Sequence, residues 1–239
     1  MESEDRSVFD LPYSEPTNTL SYGKNVDQVI DFYLPIEPDK QTIVLIHGGY
    51  WRPEYDRKHL APLAKKFADL GWPVALIEYR RIIGNPDATL DDVLSAIKEV
   101  SQRYEKLLLI GHSAGGHLAL LAANKFKVEG VIALAPVCDL LKAEELDLDE
   151  GAVSDFLGAP ALLRIDLDPM RQPALTIPTT LIHGSLDIRV PAAFSRDYVF
   201  GVAKSNIKLI ELESAGHFEL IDPRQKSLEI ILEQLSELK

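Results

Sequence analysis

From residue 107 to 123 the chain runs Leu-Leu-Leu-Ile, then Gly111-His112-Ser113-Ala114-Gly115-Gly116, then His117-Leu-Ala-Leu-Leu-Ala-Ala. An unbroken apolar run, a glycine-rich turn and a helix-forming run predict a buried strand that turns sharply into a helix. Glycines two before and two after Ser113 let strand and helix approach closely, because neither carries a Cβ. The serine then sits at the apex in a strained backbone conformation. Its hydroxyl is exposed above a sheet, at the positive end of the following helix. That geometry suits a nucleophile.

The rest of the chain reads as an α/β protein. Apolar strand-like runs at 29–34, 42–46, 73–79, 106–110, 130–135, 179–183 and 206–212 alternate with helical patterns near 57–70, 89–104, 114–126, 191–201 and 223–238. Short, continuously apolar strands separated by helices predict a mostly parallel central sheet with helices on both faces. Ligands of such sheets bind at the carboxyl ends of the strands. In the 89–104 helix, Thr89-Leu-Asp-Asp reads as the capped start of an amphipathic pattern. Residues 1–239 are expected to form one domain, with 1–25 an irregular lead-in. Residues 137–176, with acidic and proline-bearing stretches, read as a small cap-like insertion.

Composition narrows the partners. The chain has 239 residues with 25 Lys and Arg against 37 Asp and Glu, a net charge of −12. An acidic surface repels phosphate backbones and anionic lipid, so neither nucleic acid nor membrane is an expected partner. The single cysteine, Cys138, has no intramolecular disulfide partner, and no Cys/His spacing suggests a metal. The polar N-terminus lacks a secretory pattern, and no apolar run reaches the ~20 residues of a membrane span. The expected compartment is the cytoplasm, and no cofactor is expected.

A serine nucleophile needs a base, and the base needs an orienting acid. After a strand–turn–helix serine the expected chain order is serine, acid, histidine. His217, in the small-residue loop Ser214-Ala-Gly-His-Phe218, is the favoured base, since a loop histidine there swings over the sheet edge. His183 closes a strand and is disfavoured. Asp187 follows that strand in His183-Gly-Ser-Leu-Asp187-Ile-Arg-Val-Pro191 and is the favoured acid. Its competing reading is a turn or cap aspartate, and Asp139 is the rival acid.

The developing oxyanion needs preformed donors. One is the backbone N–H of Ala114. The second is expected from His47-Gly48-Gly49-Tyr50-Trp51, with Gly49 preferred over Gly48 and His47 bracing the loop. Tyr50, Trp51 and His112 are candidate walls of a substrate pocket. His117 and Cys138 read as packing residues. Arg80-Arg81 either reaches an anionic substrate group or braces loops.

His-Gly-Gly-Tyr-Trp-Arg, Glu-Tyr-Arg-Arg, Gly-His-Ser-Ala-Gly-Gly-His-Leu-Ala-Leu and Ala-Gly-His-Phe-Glu-Leu-Ile-Asp-Pro together resemble the α/β-hydrolase superfamily. More narrowly they resemble a bacterial esterase group, described also as prolyl-oligopeptidase-like catalytic domains. His-Gly-Gly-Tyr-Trp with Gly-His-Ser-Ala-Gly is similar also to arylformamidase, the hydrolase of N-formylkynurenine. The resemblance implies a triad of Ser113, Asp187 and His217 and an oxyanion hole at Gly49 and Ala114. The expected activity is hydrolysis of a small carboxylic ester through an acyl-enzyme, with formamide hydrolysis as the alternative and a small-molecule ester or amide as the expected substrate.

Overall fold

The computed structural model describes residues 4–38, 40–202 and 204–238. Eight strands form one sheet: β1 Asn18–Ser21, β2 Val29–Tyr33, β3 Thr42–Ile46, β4 Val74–Ile77, β5 Leu107–His112, β6 Gly130–Leu134, β7 Thr179–Gly184 and β8 Ile207–Leu212. Their order is β1-β2-β4-β3-β5-β6-β7-β8. The pairings β1–β2 and β2–β4 are antiparallel, and β4–β3 through β7–β8 are parallel.

Alternation along the buried strands splits the core in two. In β5, Leu107 and Leu109 join one apolar cluster while Leu108 and Ile110 join the other. Both faces are therefore covered, so a run of consecutive leucines is stable as a strand. The first face packs against α2 (Pro86–Ser101), α3 (Ala114–Ala123) and α6 (Ala193–Val202); the second packs against α1 (Ala61–Asp69) and α7 (Ser227–Glu237). Helix α3 is buried from Ala114 to Ala122. A helix apolar on every side belongs in an interior, and here the sheet and residues 137–176 enclose it.

All seven expected strands are present, and an eighth, β1, lies within the stretch read as an irregular lead-in. Strand β1 is short and polar, and it stands at the sheet edge, paired only with β2. The start of α2 also differs from the expectation. Its N-cap is Asn85, whose side chain accepts from the Ala88 N–H, with Pro86 opening the helix. Thr89 lies inside the helix and donates its hydroxyl proton to the Arg80 carbonyl at 2.7 Å.

Residues 137–176 fold as α4 (Leu140–Glu145), α5 (Ala152–Leu157) and three short 3-10 turns. The Arg171 guanidinium ties this segment together, bonding Asp139 at 2.6 Å and Asp168 at 2.7 Å. The segment docks on α3 and on the loop after β3: His117 Nε2 donates to the Leu167 carbonyl at 2.8 Å, and Phe156 stacks on Trp51.

Candidate active site

Ser113 occupies the turn between β5 and α3 with φ 57° and ψ −120°, a region that side chains other than glycine's avoid. The turn is anchored by the Ser113 N–H, which donates to the Leu134 carbonyl at 2.8 Å, and by the Ser113 carbonyl, which accepts from the His117 N–H at 3.1 Å. A Cβ on Gly111 would collide with the Gly115 carbonyl, and one on Gly115 would collide with the carbonyls of Ile46 and His47. The two glycines therefore have a packing reason: they let α3 start against the ends of β3 and β5.

Two loops carry Asp187 and His217 to the same end of the sheet, after β7 and β8. His217 Nδ1 donates to Asp187 Oδ2 at 2.6 Å. The other carboxylate oxygen accepts from the N–H groups of Arg189 and Val190, each at 2.8 Å. Turn aspartate and imidazole partner are thus one residue, with one oxygen given to each role. Burial alone would raise the Asp187 pKa. Hydrogen bonds from His183 and His217, the charge of His217 and the Val190 N–H outweigh that and hold the carboxyl well below its ordinary range.

Gly184 lets the His217 loop cross the end of β7, since a Cβ there would strike the carbonyls of Ala215 and Gly216. His112 then pins the loop. Its Nε2 lies 3.1 Å from the His217 carbonyl oxygen and is therefore the protonated nitrogen, and the two imidazoles lie 4.5 Å apart. Burial, with the neighbouring charge of His217, keeps His112 well below its ordinary pKa, so the ring is neutral. Ser113, His112 and His217 line one cavity.

The glycine loop after β3 lies against the serine. A Cβ built on Gly48 would stand 2.7 Å from the His112 carbonyl oxygen and 2.9 Å from Ser113 Cβ. Gly49, at φ 105°, takes a conformation open mainly to glycine and lines the cavity. His47 braces this loop as expected, donating from Nδ1 to the Gly48 carbonyl and pairing through Nε2 with Glu78, each at 2.8 Å. The Tyr79 hydroxyl donates to the His47 carbonyl at 2.7 Å, and the rings of the two residues stack. Glu78 also accepts from Arg81 and from the Arg57 N–H. Burial opposes ionisation of Glu78, but His47, Arg81 and the Arg57 N–H prevail and hold its pKa far below the usual value. Arg80 clasps Asp92 with two bonds at 2.7 Å. The Arg80-Arg81 pair therefore braces loops.

Among the expected pocket residues, Tyr50 and His112 line the cavity. Trp51 does not: its indole is buried between Phe156, stacked at 4.5 Å, and His117, to which Nε1 donates at 3.3 Å. Asp139, the rival acid, caps α4 and pairs with Arg171. Cys138 is buried, and its thiol donates to the Phe194 carbonyl at 3.2 Å. Burial raises its pKa well above the ordinary thiol value, which removes it as a nucleophile. The remaining walls went unread in the sequence. Phe9 from the N-terminal segment packs edge-on to Phe218 at 4.8 Å, and Tyr55 and His59 come from the turn before α1. Burial, with His47 close by, lowers His59 to a pKa of about 4. The only hint of these walls is the spacing of aromatic residues in otherwise polar stretches. No cavity-lining residue comes from 137–176. Among the described residues, no helix is long and apolar enough to cross a membrane.

Known proteins similar to this chain include esterases and kynurenine formamidases. A kynurenine formamidase from Danio rerio is 28% identical over 151 residues, which cover 55% of this chain and 51% of that protein. The esterase LipQ from Mycobacterium tuberculosis is 26% identical over 245 residues, covering 86% of this chain and 58% of its own length. The chain thus spans about half the length of these relatives. Among solved structures, esterase B from Lactobacillus rhamnosis superposes with a TM-score of 0.77 at 22% identity, covering 95% of this chain and 87% of that one, which establishes the α/β-hydrolase fold. The BD-FAE family model matches residues 30–199, from β2 through the serine turn and Asp187 into α6; the chain belongs to the BD-FAE family.

Proposed function

We propose that the chain is a cofactor-free serine hydrolase that cleaves a small carboxylic ester through an acyl-enzyme. The observation that carries this reading is the 2.6 Å bond between Asp187 and His217 at the cavity that Ser113 lines from a strained turn. With Nδ1 held by Asp187, the free Nε2 of His217 takes the Ser113 proton as Oγ attacks the carbonyl carbon. The oxyanion that forms is received by the N–H groups of Ala114 and Gly49, with Gly48 shaping the approach. Each such donor is worth about 2.7–4 kcal/mol in the transition state. His217 then protonates the leaving alcohol, and a water activated by the same imidazole releases the acid.

The cavity measures about 40 Å³. That is far below the 300–1,000 Å³ of pockets for drug-sized ligands, so the acyl group is short. Esterases among the relatives support the same reaction class. Ser113→Ala is expected to abolish turnover of p-nitrophenyl acetate while the thermal unfolding midpoint is retained. Residual turnover by that variant at the wild-type rate sinks the assignment.

Formamide hydrolysis is the second reading. It is favoured by the aromatic walls Phe9, Tyr50, Tyr55 and Phe218 around a space of one-carbon-acyl size, and by the kynurenine formamidase relatives. The ratio of kcat/KM on N-formylkynurenine to that on phenyl acetate separates the two. A ratio well above one selects the formamidase, and one far below it selects the esterase.

A further inference from the structure

The chain carries 37 acidic residues against 25 Lys and Arg, yet among the described residues no Asp or Glu lines the cavity at Ser113. Two guanidinium groups stand there instead, Arg6 and Arg189. Arg189 is already satisfied: Glu4 grips its Nε at 3.0 Å and its terminal nitrogen at 2.9 Å. Arg6 is not. Among the described residues it has no carboxylate partner within 4.0 Å. Its guanidinium carbon sits 5.2 Å from the ring centre of Phe9 and 5.5 Å from that of Phe218. The Phe218 ring in turn lies 5.1 Å from the His217 imidazole. Two aromatic faces therefore hold a cation close to the proposed base, with its N–H groups uncommitted among the described residues.

We infer that Arg6 is a specificity-determining residue that binds a carboxylate on the leaving-group side of the substrate. The inference rests on the serine-hydrolase reading and adds the substrate class to it: small esters or amides whose leaving group is anionic. The cavity is too small for a whole substrate, and Arg6 and Phe218 stand in its wall beside His217, the residue that protonates the departing group, so the leaving group is the part of the substrate nearest the guanidinium. A guanidinium already oriented by Phe9 and Phe218 loses little freedom on forming charge-assisted hydrogen bonds. On a molecule of net charge −12, such a local cation also offsets the long-range repulsion of an anionic substrate.

The test is a ratio. The value of kcat/KM is measured for 3-acetoxybenzoate and for phenyl acetate, which share an acetyl group and differ by one carboxylate. Arg6→Gln, at an exposed position, is expected to lower the ratio of the first to the second by about tenfold, the scale of one lost charge-assisted hydrogen bond. The wild-type ratio is expected to fall as salt is added, because the contact with Arg6 is screened, and the variant's ratio to stay flat or rise, because only the long-range repulsion is left to screen. A ratio that is the same in both proteins, or a wild-type ratio indifferent to salt, overturns the inference. Ser113→Ala assayed on phenyl acetate reports separately on the hydrolase reading, so the two failures are told apart.

Discussion

The Asp187 oxygen that binds His217 also lies 3.3 Å from Nε2 of His183. That nitrogen is 2.8 Å from the Val190 carbonyl oxygen and must carry a proton, while Nδ1 is 2.7 Å from the Ser195 hydroxyl and accepts from it. A fully buried imidazole, its N–H directed to the Val190 carbonyl, thus stands against the acid of the proposed triad. His183→Leu is expected to lower kcat about tenfold with KM little changed, since an apolar side chain there removes polar stabilisation of the buried carboxylate worth about 1.5 kcal/mol. Steady-state kinetics on phenyl acetate check this, and an unaltered kcat shows that His217 with the Arg189 and Val190 N–H groups suffices to orient Asp187.

Replacing Asp187 by asparagine keeps the shape and removes the charge. The Arg189 and Val190 N–H groups still find an oxygen, so the turn survives. His217, however, is free to take the other tautomer, with Nε2 protonated toward Ser113. A fall in kcat of about 10³–10⁴ is expected. The check is kcat on p-nitrophenyl acetate beside the urea midpoint.

Acid should unfold this protein in part through two buried, bonded carboxylates, Asp187 and Glu78. Asp187 and Glu78 both have folded-state pKa values below their ordinary ones of 3.8 and 4.5. A depressed folded pKa means that the stabilisation is complete above the unfolded value and is lost as pH falls toward the folded one. The urea midpoint is therefore expected to decline gently below about pH 6.5, where the unfolded chain protonates histidines that burial keeps neutral in the fold, such as His59 and His112, and to drop more steeply below about pH 4 as the carboxylates follow. Glu78→Gln starts lower, because His47, Arg57 and Arg81 lose a charged partner, and its midpoint falls less steeply in acid. Parallel curves for the two proteins contradict this.

Gly48→Ala tests the proposed oxyanion loop. Its new methyl meets the His112 carbonyl and Ser113 Cβ, both rigid, so the loop must retreat from the serine. If the loop N–H serves the oxyanion, kcat falls about 10²–10³-fold, as for loss of one such donor. The burst of acylation in stopped-flow should slow in step. A slowed deacylation with intact acylation argues for a different donor.

Strands and helices whose faces are both buried were legible because their pattern needs no partner to interpret. Leu107 to Ile110 is apolar throughout, and only a sheet covered on two sides accommodates that. The meeting of the serine turn, Asp187 and His217 at one end of the sheet was legible for a related reason: it depends on local turn chemistry and chain order. The cavity walls were not. Phe9 reaches Phe218 across 209 positions of chain (218 − 9), and Arg6 reaches the same ring, contacts that no local period encodes. Trp51 misled because an aromatic beside a glycine pair suits a pocket wall and a buried prop equally well. The choice was made by Phe156, in a segment whose path the sequence leaves open. His183 was set aside as a base for sound reasons, yet its contact with Asp187 arises only once the loop after β7 folds back onto the strand.

The φ of 57° at Ser113 sets the fold and the chemistry against one another at a single residue. Glycine would relax the backbone there by about 1–3 kcal/mol, so the protein without the proposed nucleophile is the sturdier one. A selection for heat resistance alone would drift toward that silence. Any programme to toughen this molecule therefore has to leave residue 113 alone and look for its gains in loops remote from the serine turn.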